Sequence, residues 1–311
     1  MDMKRFLKTA KTRTFKQLYS NIDNKIHVNN KYCYCTDMNV FIFCPDFSID
    51  SDKTYTYDAK QFEVLYRLYG LPTEKNGDLG FGDQVLTPFS IDEAPGIPDQ
   101  DDYPVFIGTI KKADLDWIKP ASAVNDIRFY LNSVYFDGKN LVATDGHRLH
   151  HIKTEQEHVK PVIIHSSAIN LIKNDTDVWL SKNMVSLTEY RDLPILSTPV
   201  DAEYPNFNLV MPTRYSFVEV DTADWIAQAE KIRDIMKAKG KWLTAVISDQ
   251  GPELIPSDTS GLKGANTIFL IDALKIGKTC SFSLGDGEDV NNTSMLFKTG
   301  NRFAVVIPTR I

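Results

Sequence analysis

The chain has 311 residues, of which 42% are hydrophobic and 24% are charged, a composition that excludes wholesale disorder and allows two or three globular domains. The formal net charge is −6 and the pI is near 5.6. These values count against a nucleic-acid-binding protein unless the basic residues are concentrated on a few elements of the fold.

The first hundred residues are predicted to form helices and hairpin strands in a loose arrangement. A helix is predicted near Met3–Thr12, hairpin strands within residues 25–44, and a strand followed by a helix within residues 53–70. The basic N-terminal segment lacks the apolar core of a signal peptide, and no apolar run approaches the ~20 residues that span a bilayer, so we expect a cytoplasmic protein. The acidic, proline-rich residues 92–104 are predicted to be a linker.

The four cysteines are Cys33, Cys35, Cys44 and Cys280. On a strand, Cys33 and Cys35 share one face, but no second close pair completes a zinc site. We therefore expect structural thiols in a reducing compartment rather than metal ligands.

From residue 103 onward, a unit of one strand, one helix and two or three further strands recurs. Its best example has a strand over 103–110, a helix over 111–123 with Leu115 and Ile118 inward, and strands over 128–136, 140–145 and 147–153. The next copy has a strand over 160–165, Ser166 as N-cap, a helix over 167–174, and strands over 177–182, 184–190 and 193–200.

The C-terminal third repeats the unit twice. Asp221 is predicted to cap a helix over 222–240 that ends at Gly240 and whose buried face contains Ile226, Ala229, Ile232 and Ile235. The last copy is predicted to have a strand over 266–271, a helix from Asp272, and strands over 279–285, 294–300 and 302–311.

This repetition predicts an α+β fold of three similar domains, each made of two strand–helix–strands half-units. The domains are expected at residues 1–100, 101–212 and 213–311, with the second boundary near residues 211–214. A half-unit has one short helix and one small sheet, which is too little to bury a core alone, so two halves must pack together. Six half-units can curve into an arc with the helices on its concave side.

Three collinear segments resemble a known family. The segment Phe129–Lys153, and within it the string VATDGHRL at Val142–Leu149, is similar to the bacterial DNA polymerase III beta subunit, the sliding clamp. The segments Asp201–Pro212 and Ala304–Ile311 resemble the same family in order and spacing. The resemblance implies the DNA-clamp fold, with helices lining a central channel and sheets outside. It also implies a head-to-tail homodimer that closes into a ring, with monomers and trimers as the alternatives.

The resemblance implies a partner-peptide pocket where the three segments meet, between the second and third domains. The replicative DNA polymerase and the clamp loader would insert short peptides there. The implied pocket residues are Leu131, Thr144, Gly146, His147, Arg148, Leu149, Pro205, Leu209, Val210, Val305, Ile307, Pro308 and Arg310. Leu209 replaces a basic residue, and Ile307 and Thr309 replace methionines, so the peptide preference is expected to be narrower or shifted.

A protein that encircles double-stranded DNA needs basic side chains that contact phosphates without reading bases. The basic candidates are Lys4, Lys8, Lys11, Arg13, Lys111, Lys112, Lys119, Arg128, Lys173, Lys231, Lys237 and Lys275, and the aromatic candidates are Phe129 and Tyr130. Of these, Arg128, Phe129 and Tyr130 match a loop that touches DNA in the family, although they equally suit the core of a strand. Acidic residues populate many turns and linkers, so the net charge is compatible with a basic channel.

Other functions remain open on the sequence alone. The string at Asp145–Leu149 also suits a tight hairpin with a two-residue Asp145-Gly146 turn. Asp145, His147, His150 and His151 suggest a metallohydrolase, but no catalytic motif accompanies them, so neither an enzyme nor a cofactor is expected. A clamp-like adaptor that binds peptides without encircling DNA is the main alternative. The divergent first domain favours a phage protein in the host cytoplasm over a bacterial one, and the loader must be a separate protein because the chain has no nucleotide-binding motif.

Overall fold

A computed structural model describes most of the chain. The described residues are 2–10, 25–97, 104–157, 159–182, 184–189, 195–211, 215–241, 243–248, 250–253, 264–285 and 294–308. Residues 98–103 of the predicted linker at 92–104, residues 212–214 of the predicted boundary at 211–214, and the site candidates Lys11, Arg13 and Arg310 lie outside these residues.

Helices and strands alternate largely in the predicted order. The described helices are α1 (Met3–Ala10), α2 (Ala59–Tyr69), α3 (Lys112–Ile118), α4 (Ser166–Ile169), α5 (Thr222–Ala238) and α6 (Thr267–Leu274). Short 3₁₀ turns lie at Lys119–Ala121, Phe129–Asn132 and Phe207–Val210. None of the described helices is long and apolar enough to cross a membrane.

The strands are short. Those of the N-terminal half are β1 (Lys25–Val28), β2 (Cys33–Thr36), β3 (Val40–Cys44), β4 (Tyr55–Asp58), β5 (Thr73–Lys75), β6 (Asp78–Phe81), β7 (Gln84–Leu86), β8 (Ser90–Ile91), β9 (Val105–Ile110), β10 (Ser133–Phe136), β11 (Asn140–Thr144) and β12 (Arg148–Lys153). Those that follow are β13 (Val162–His165), β14 (Thr176–Leu180), β15 (Val185–Glu189), β16 (Ile195–Ser197), β17 (Val218–Asp221), β18 (Thr244–Ser248), β19 (Gly251–Glu253), β20 (Gly264–Asn266), β21 (Thr279–Leu284), β22 (Met295–Thr299) and β23 (Arg302–Val306).

The last helix begins earlier than the sequence predicts. Strand β20 ends at Asn266 and helix α6 begins at Thr267, so the predicted strand over 266–271 and helix from Asp272 are wrong. Asn266 caps this helix, because its side chain accepts a hydrogen bond from the backbone N–H of Ile268. The error has a physical reason: a short apolar run suits a buried helix as well as a buried strand.

In helix α5 the predicted N-cap is confirmed, but the buried face differs from the predicted one. The Asp221 carboxylate accepts hydrogen bonds from the first-turn backbone N–H groups, as predicted. The buried side chains recur every three or four residues, at Thr222, Trp225, Ala229, Ile232 and Met236. Ile226 and Ile235 are only half-buried, because Trp225 and Met236 face the core instead.

Two further elements are shorter than predicted. The predicted strand over residues 128–136 is a 3₁₀ turn at Phe129–Asn132 followed by β10. The Asn132 side-chain amide stabilises this turn, since it accepts from the Asp126 N–H and donates to the Asp126 carbonyl, both at 2.9 Å. The predicted helix over 167–174 is the short α4, which Ser166 begins rather than caps.

The chain forms two compact units, of which the first comprises Met1–Lys112 and Ser167–Pro199. Its larger sheet has nine strands in the order β8-β4-β1-β2-β3-β16-β15-β14-β9, and its smaller sheet has the order β5-β6-β7. Helix α2 follows the N-cap Asp58 and packs Phe62 against Phe81 of β6, with ring centroids 5.4 Å apart. Burial of such aromatic side chains stabilises the core of this unit.

The second unit comprises Ala113–Ser166 and Val200–Ile311. Its larger sheet has eight strands in the order β13-β10-β11-β12-β23-β22-β21-β17, and a smaller sheet has the order β19-β18-β20. Leu115 and Ile118 of α3 are buried as predicted. Trp225 of α5 contacts Phe282 of β21 edge to face, with centroids 4.9 Å apart.

Strands from both sides of each predicted domain boundary pair in one sheet. Strand β3 pairs with β16 through Phe41–Leu196 and Val40–Ser197. Strand β12 pairs with β23 over five residue pairs, from Arg148–Val306 to Ile152–Arg302. Each compact unit therefore combines parts of neighbouring predicted domains, and the division into three domains stays a prediction.

Three histidines are buried among apolar side chains. His27 lies 2.9 Å from the Thr56 hydroxyl, and His151 Nε2 donates to the side-chain oxygen of Asn140 at 2.9 Å. His150 Nδ1 donates to the Trp117 carbonyl at 2.7 Å, and the two rings stack with centroids 4.4 Å apart. Burial lowers the pKa of each histidine to about 4.

Because these histidines are buried in the neutral form, we expect acid to destabilise the fold before the carboxylates are protonated. Histidines of the unfolded chain bind protons below about pH 6.5, whereas the buried ones remain neutral to about pH 4. The unfolded state therefore takes up more protons between these values, and each histidine lowers the unfolding free energy by up to about 1.4 kcal/mol per pH unit as the pH falls. Urea unfolding between pH 7 and pH 5 should show this slope, and His150→Gln should reduce it. An identical slope in the variant would contradict the assignment.

Candidate functional site

The connection between β11 and β12 forms one side of the candidate site. Thr144 Oγ1 donates to the Arg148 carbonyl at 2.6 Å, and the Asp145 carboxylate accepts from the Arg148 N–H at 3.0 Å. Gly146 has φ +87°, in the left-handed region that favours glycine. Because Thr144 pairs with Leu149, four residues separate the paired positions, and the connection is longer than the predicted two-residue turn.

A cleft of about 170 Å³ opens beside this connection, within the second unit. Its lining residues are Arg128, Tyr130, Leu131, Thr144, Gly146, Arg148, Leu149, Pro205, Asn206, Phe207, Val210, Val305 and Ile307. Nine of them belong to the thirteen residues predicted for a peptide pocket: Leu131, Thr144, Gly146, Arg148, Leu149, Pro205, Val210, Val305 and Ile307. The three segments that resemble the clamp family therefore meet around one concavity.

The apolar floor of the cleft is continuous with the core of the second unit. Leu149 of β12 and Val305 of β23 face each other across paired strands and are both buried. Phe207 and Val210, on the 3₁₀ turn Phe207–Val210, pack against the same cluster. Asn206 caps this turn, because its side chain accepts from the Asn208 N–H at 3.2 Å. A cleft with a packed floor is largely preformed, as ligand sites usually are.

Arg148 is the most constrained polar group of the cleft. Its Nε lies 3.0 Å from Asp145 Oδ2, its Nη1 lies 2.7 Å from Asp272 Oδ2, and its Nη2 donates to the Pro120 carbonyl. The face of the guanidinium covers the Phe269 ring, with Cζ 4.4 Å from the centroid. Arg148 is thus linked to three separate elements of the second unit.

Arg128 forms one edge of the cleft and is also held by a carboxylate. Its Nε and Nη2 lie 3.0 and 2.9 Å from the two oxygens of Asp126. The hydrogen bonds from Arg128 lower the pKa of the Asp126 carboxyl to about 2. A Cβ on Gly146 would lie 3.2 Å from the guanidinium nitrogens, so the absence of a side chain allows this close approach.

Three described residues of the predicted pocket do not line the cleft. His147 is exposed and stacks on Phe269, with ring centroids 6.3 Å apart. Leu209 is 65% exposed, although it lies on the same 3₁₀ turn as the lining residue Val210. Pro308 follows the last lining residue, Ile307, and is half-buried.

The residues predicted to contact DNA lie on both units. Lys4, Lys8, Lys111, Lys173, Lys231, Lys237 and Lys275 are exposed, whereas Lys112 and Lys119 are half-buried. Lys275 forms an ion pair with Asp272, at 3.0 Å. Arg128 and Tyr130 line the cleft, although the sequence analysis counted them among the DNA candidates. Their neighbour Phe129 is 54% exposed.

The geometry does not favour the metallohydrolase alternative. His150 contacts Trp117, whereas the neighbouring His151 contacts Phe207 and Phe303, so these two rings lie on opposite faces of β12. Asp145 is engaged with Arg148. Among the residues that the structure describes, no three His, Cys, Asp or Glu side chains are grouped as metal ligands. The cysteines are buried, with Cys33 facing Cys44 in the register of β2 and β3.

Several site residues are absent from the sequence-based prediction. Asn206 and Phe207 lie inside the segment Asp201–Pro212, so the resemblance itself contained the signal for them. Phe269 and Asp272 are three residues apart on α6 and therefore lie on the same helical face. The sequence-based prediction missed this, because it placed residues 266–271 in a strand. The contact of Asp272 with Arg148 spans 124 residues of sequence and depends on the tertiary fold.

Comparison with known proteins places the fold. No family model and no curated protein matches the chain. The DNA polymerase III beta subunit of Thermotoga maritima is similar in structure, with a TM-score of 0.74, 17% identity, and coverage of 100% of this chain and 97% of that chain. A Pseudomonas aeruginosa sliding clamp bound to griselimycin has a TM-score of 0.71, 18% identity, and coverage of 99% and 97%. A Helicobacter pylori beta clamp bound to a DNA ligase peptide has a TM-score of 0.71, 16% identity, and coverage of 98% and 96%.

These similarities extend over nearly the whole of each chain rather than over one domain. The identities are low, and what the chains share is therefore the fold. The resemblance predicted from the sequence is confirmed at this level: the chain has the α+β DNA-clamp fold of the bacterial DNA polymerase III beta subunits.

Proposed function

We propose that this chain is a DNA sliding clamp, a processivity factor without catalytic activity that encircles duplex DNA and tethers a replicative polymerase. The observation that carries the proposal is the cleft, since three segments that are distant in sequence supply apolar side chains to one concavity. The similarity of the whole fold to sliding clamps supports the same function.

The ligand of the cleft is a short peptide segment of a partner protein. Six of the thirteen lining residues are leucine, valine, isoleucine or proline, and Tyr130 and Phe207 add aromatic surface. Apolar anchor residues of a peptide therefore enter without leaving charges unpaired. The Helicobacter pylori clamp with this fold binds a DNA ligase peptide, and the Pseudomonas aeruginosa clamp binds griselimycin. The replicative polymerase and a separate clamp loader are the expected partners of this chain.

Encirclement requires weak contacts between lysines and phosphates. The exposed lysines of both units provide such contacts without reading bases, and the acidic net charge of −6 disfavours binding elsewhere on the surface. Retention on DNA then depends on the closed ring rather than on contact strength. The site of action is the bacterial cytoplasm, or the host cytoplasm for a phage protein.

The surface proposed to close the ring lies on the smaller sheet of the first unit. Strand β7 pairs with β6, and its central residue Val85 is 66% exposed. Helix α2 exposes two further apolar side chains one turn apart, Val64 (37%) and Leu68 (64%). Among the described strands, none pairs with the other edge of β7. Such an edge beside exposed apolar residues favours association with another chain, and the proposed occupant is a second copy in a head-to-tail dimer.

The alternative is a clamp-like adaptor that binds peptides through the cleft as a monomer and does not encircle DNA. It shares the cleft with the clamp but needs no closed ring. Self-association and retention on DNA therefore separate the two functions, whereas peptide binding does not.

Peptide binding is tested by filling the cleft. Val210→Arg places a long cationic side chain against the apolar lining, and the affinity for a fluorescein-labelled Helicobacter pylori DNA ligase peptide should fall by about tenfold or more. Val105→Arg is the matched control, because Val105 is 54% exposed on β9 in the other unit. Fluorescence anisotropy measures both, and equal affinity of Val210→Arg and the wild type would contradict this site.

Self-association is tested at the exposed strand edge. Light scattering should show a dimer for the wild type and a monomer for Val85→Asp, because a carboxylate at an apolar interface is costly to desolvate. Val124→Asp, at a residue that is 81% exposed in the second unit, should remain a dimer. A monomeric wild type at working concentration would count against the ring and in favour of the adaptor.

Encirclement is tested by topology. The protein is loaded on a nicked circular DNA, with a clamp loader where one is needed, and the DNA is then linearised. Retention on the circle and loss after linearisation are expected, because a ring leaves DNA only over a free end. Equal loss from both forms, alongside a control clamp that is retained, would replace the clamp with the adaptor.

A further inference from the structure

The guanidinium of Arg148 is enclosed by its own protein although Arg148 lines the cleft. Only 9% of its side chain is exposed, and the carboxylates of Asp145 and Asp272 are each 14% exposed. The two carboxylates and the Pro120 carbonyl accept from Nε, Nη1 and Nη2, so every nitrogen of the fork has a partner within the protein. A partner peptide therefore does not find a free cation at this position.

Asp272 supplies the long-range contact of this cluster. It lies in the last turns of α6 and binds Arg148 through Oδ2 at 2.7 Å, while its Oδ1 binds Lys275 of the same helical end at 3.0 Å. Each oxygen thus has its own cation. Through Arg148, the carboxylate ties α6 to the β11–β12 connection, whose Thr144 and Gly146 line the cleft.

We propose that Asp272 is a positioning residue of the peptide-binding cleft: through Arg148 it fixes the β11–β12 connection in the shape that accepts the peptide, without touching the peptide itself. This inference rests on the proposed function of the cleft. In this arrangement Arg148 orients the β11–β12 connection and does not act as a charge that selects acidic peptides.

The second unit contains a matched pair for comparison. Arg302 Nη2 lies 2.7 Å from Asp114 Oδ1, the same distance as in the Arg148–Asp272 pair. The side chains of Arg302 and Asp114 are 24% and 19% exposed, against 9% and 14% for Arg148 and Asp272. This second pair joins β23 to α3, and neither residue lines the cleft. Asp114→Asn therefore removes a similar ion pair and leaves the cleft untouched.

The experiment compares Asp272→Asn, Asp272→Glu and Asp114→Asn with the wild type in the full chain. The probe is the fluorescein-labelled Helicobacter pylori DNA ligase peptide, and unfolding midpoints are measured in parallel. Asp272→Asn should weaken peptide binding by about tenfold, whereas Asp114→Asn should stay within about twofold despite a similar loss of stability. Asp272→Glu keeps the carboxylate and should recover part of the affinity.

Methyl NMR of Leu131, Leu149, Val305 and Ile307 gives a readout that needs no peptide. These cleft signals should move in Asp272→Asn and stay in place in Asp114→Asn. Unchanged cleft signals, or equal peptide affinities of the two asparagine variants, would overturn the positioning role. If Asp272→Asn does not fold, Arg148→Lys is tested instead, because it replaces the guanidinium fork with a point charge. Arg148→Lys should show the same loss of peptide affinity. Wild-type affinity of Arg148→Lys would also overturn the positioning role.

Failure of the proposed function gives a different result from failure of the positioning role. If the wild type does not bind the ligase peptide, the assignment of the cleft as a site for such peptides fails. The NMR comparison of the two asparagine variants then still decides whether Asp272 positions the cleft.

Discussion

The pairing of β12 with β23 is the contact on which the second unit and its cleft depend. Five residue pairs join a strand in the middle of the chain to one near its end, and they make one eight-stranded sheet from two separate runs of strands. The same pairing sets Leu149 opposite Val305, so two apolar residues separated by more than half of the second unit's sequence form a common floor. A slip of one residue in this register would place the two side chains on opposite faces of the sheet, so they would no longer form a common floor.

On this sheet the cleft combines an apolar lining with arginines whose charges are already neutralised. Arg128 is bound by Asp126, and Arg148 is bound by Asp145 and Asp272. A charge without a partner would be costly to desolvate when an apolar peptide covers it, whereas a paired guanidinium presents mainly its hydrocarbon stem and its planar face. The arrangement favours binding through apolar contact and shape.

Much of the architecture was predictable because it rests on local patterns. Alternating apolar residues and turn residues predict the strands, and Asp221 marks the start of α5 because a carboxylate at that position accepts first-turn N–H groups. The repeated strand–helix–strands order follows from the same patterns. The resemblance of three segments then predicted nine of the residues that line the cleft. The predictions failed where local chemistry is ambiguous: the apolar run before Asp272 suits a helix and a strand equally, and the aromatic segment at Phe129–Asn132 forms a turn because Asn132 bonds back to Asp126.

The sequence by itself determined the fold class, the order of the half-units and most of the apolar lining, since periodicity, caps and turn residues act over a few positions of the chain. Only the tertiary structure decided which strands of distant segments pair, that Trp225 and Met236 rather than Ile226 and Ile235 face the core, and that Asp272 reaches Arg148 across 124 residues of sequence. The physical reason is that such contacts depend on the register between strands and on the volumes of side chains that meet in the core. Neither is encoded in the spacing of residues along any one segment.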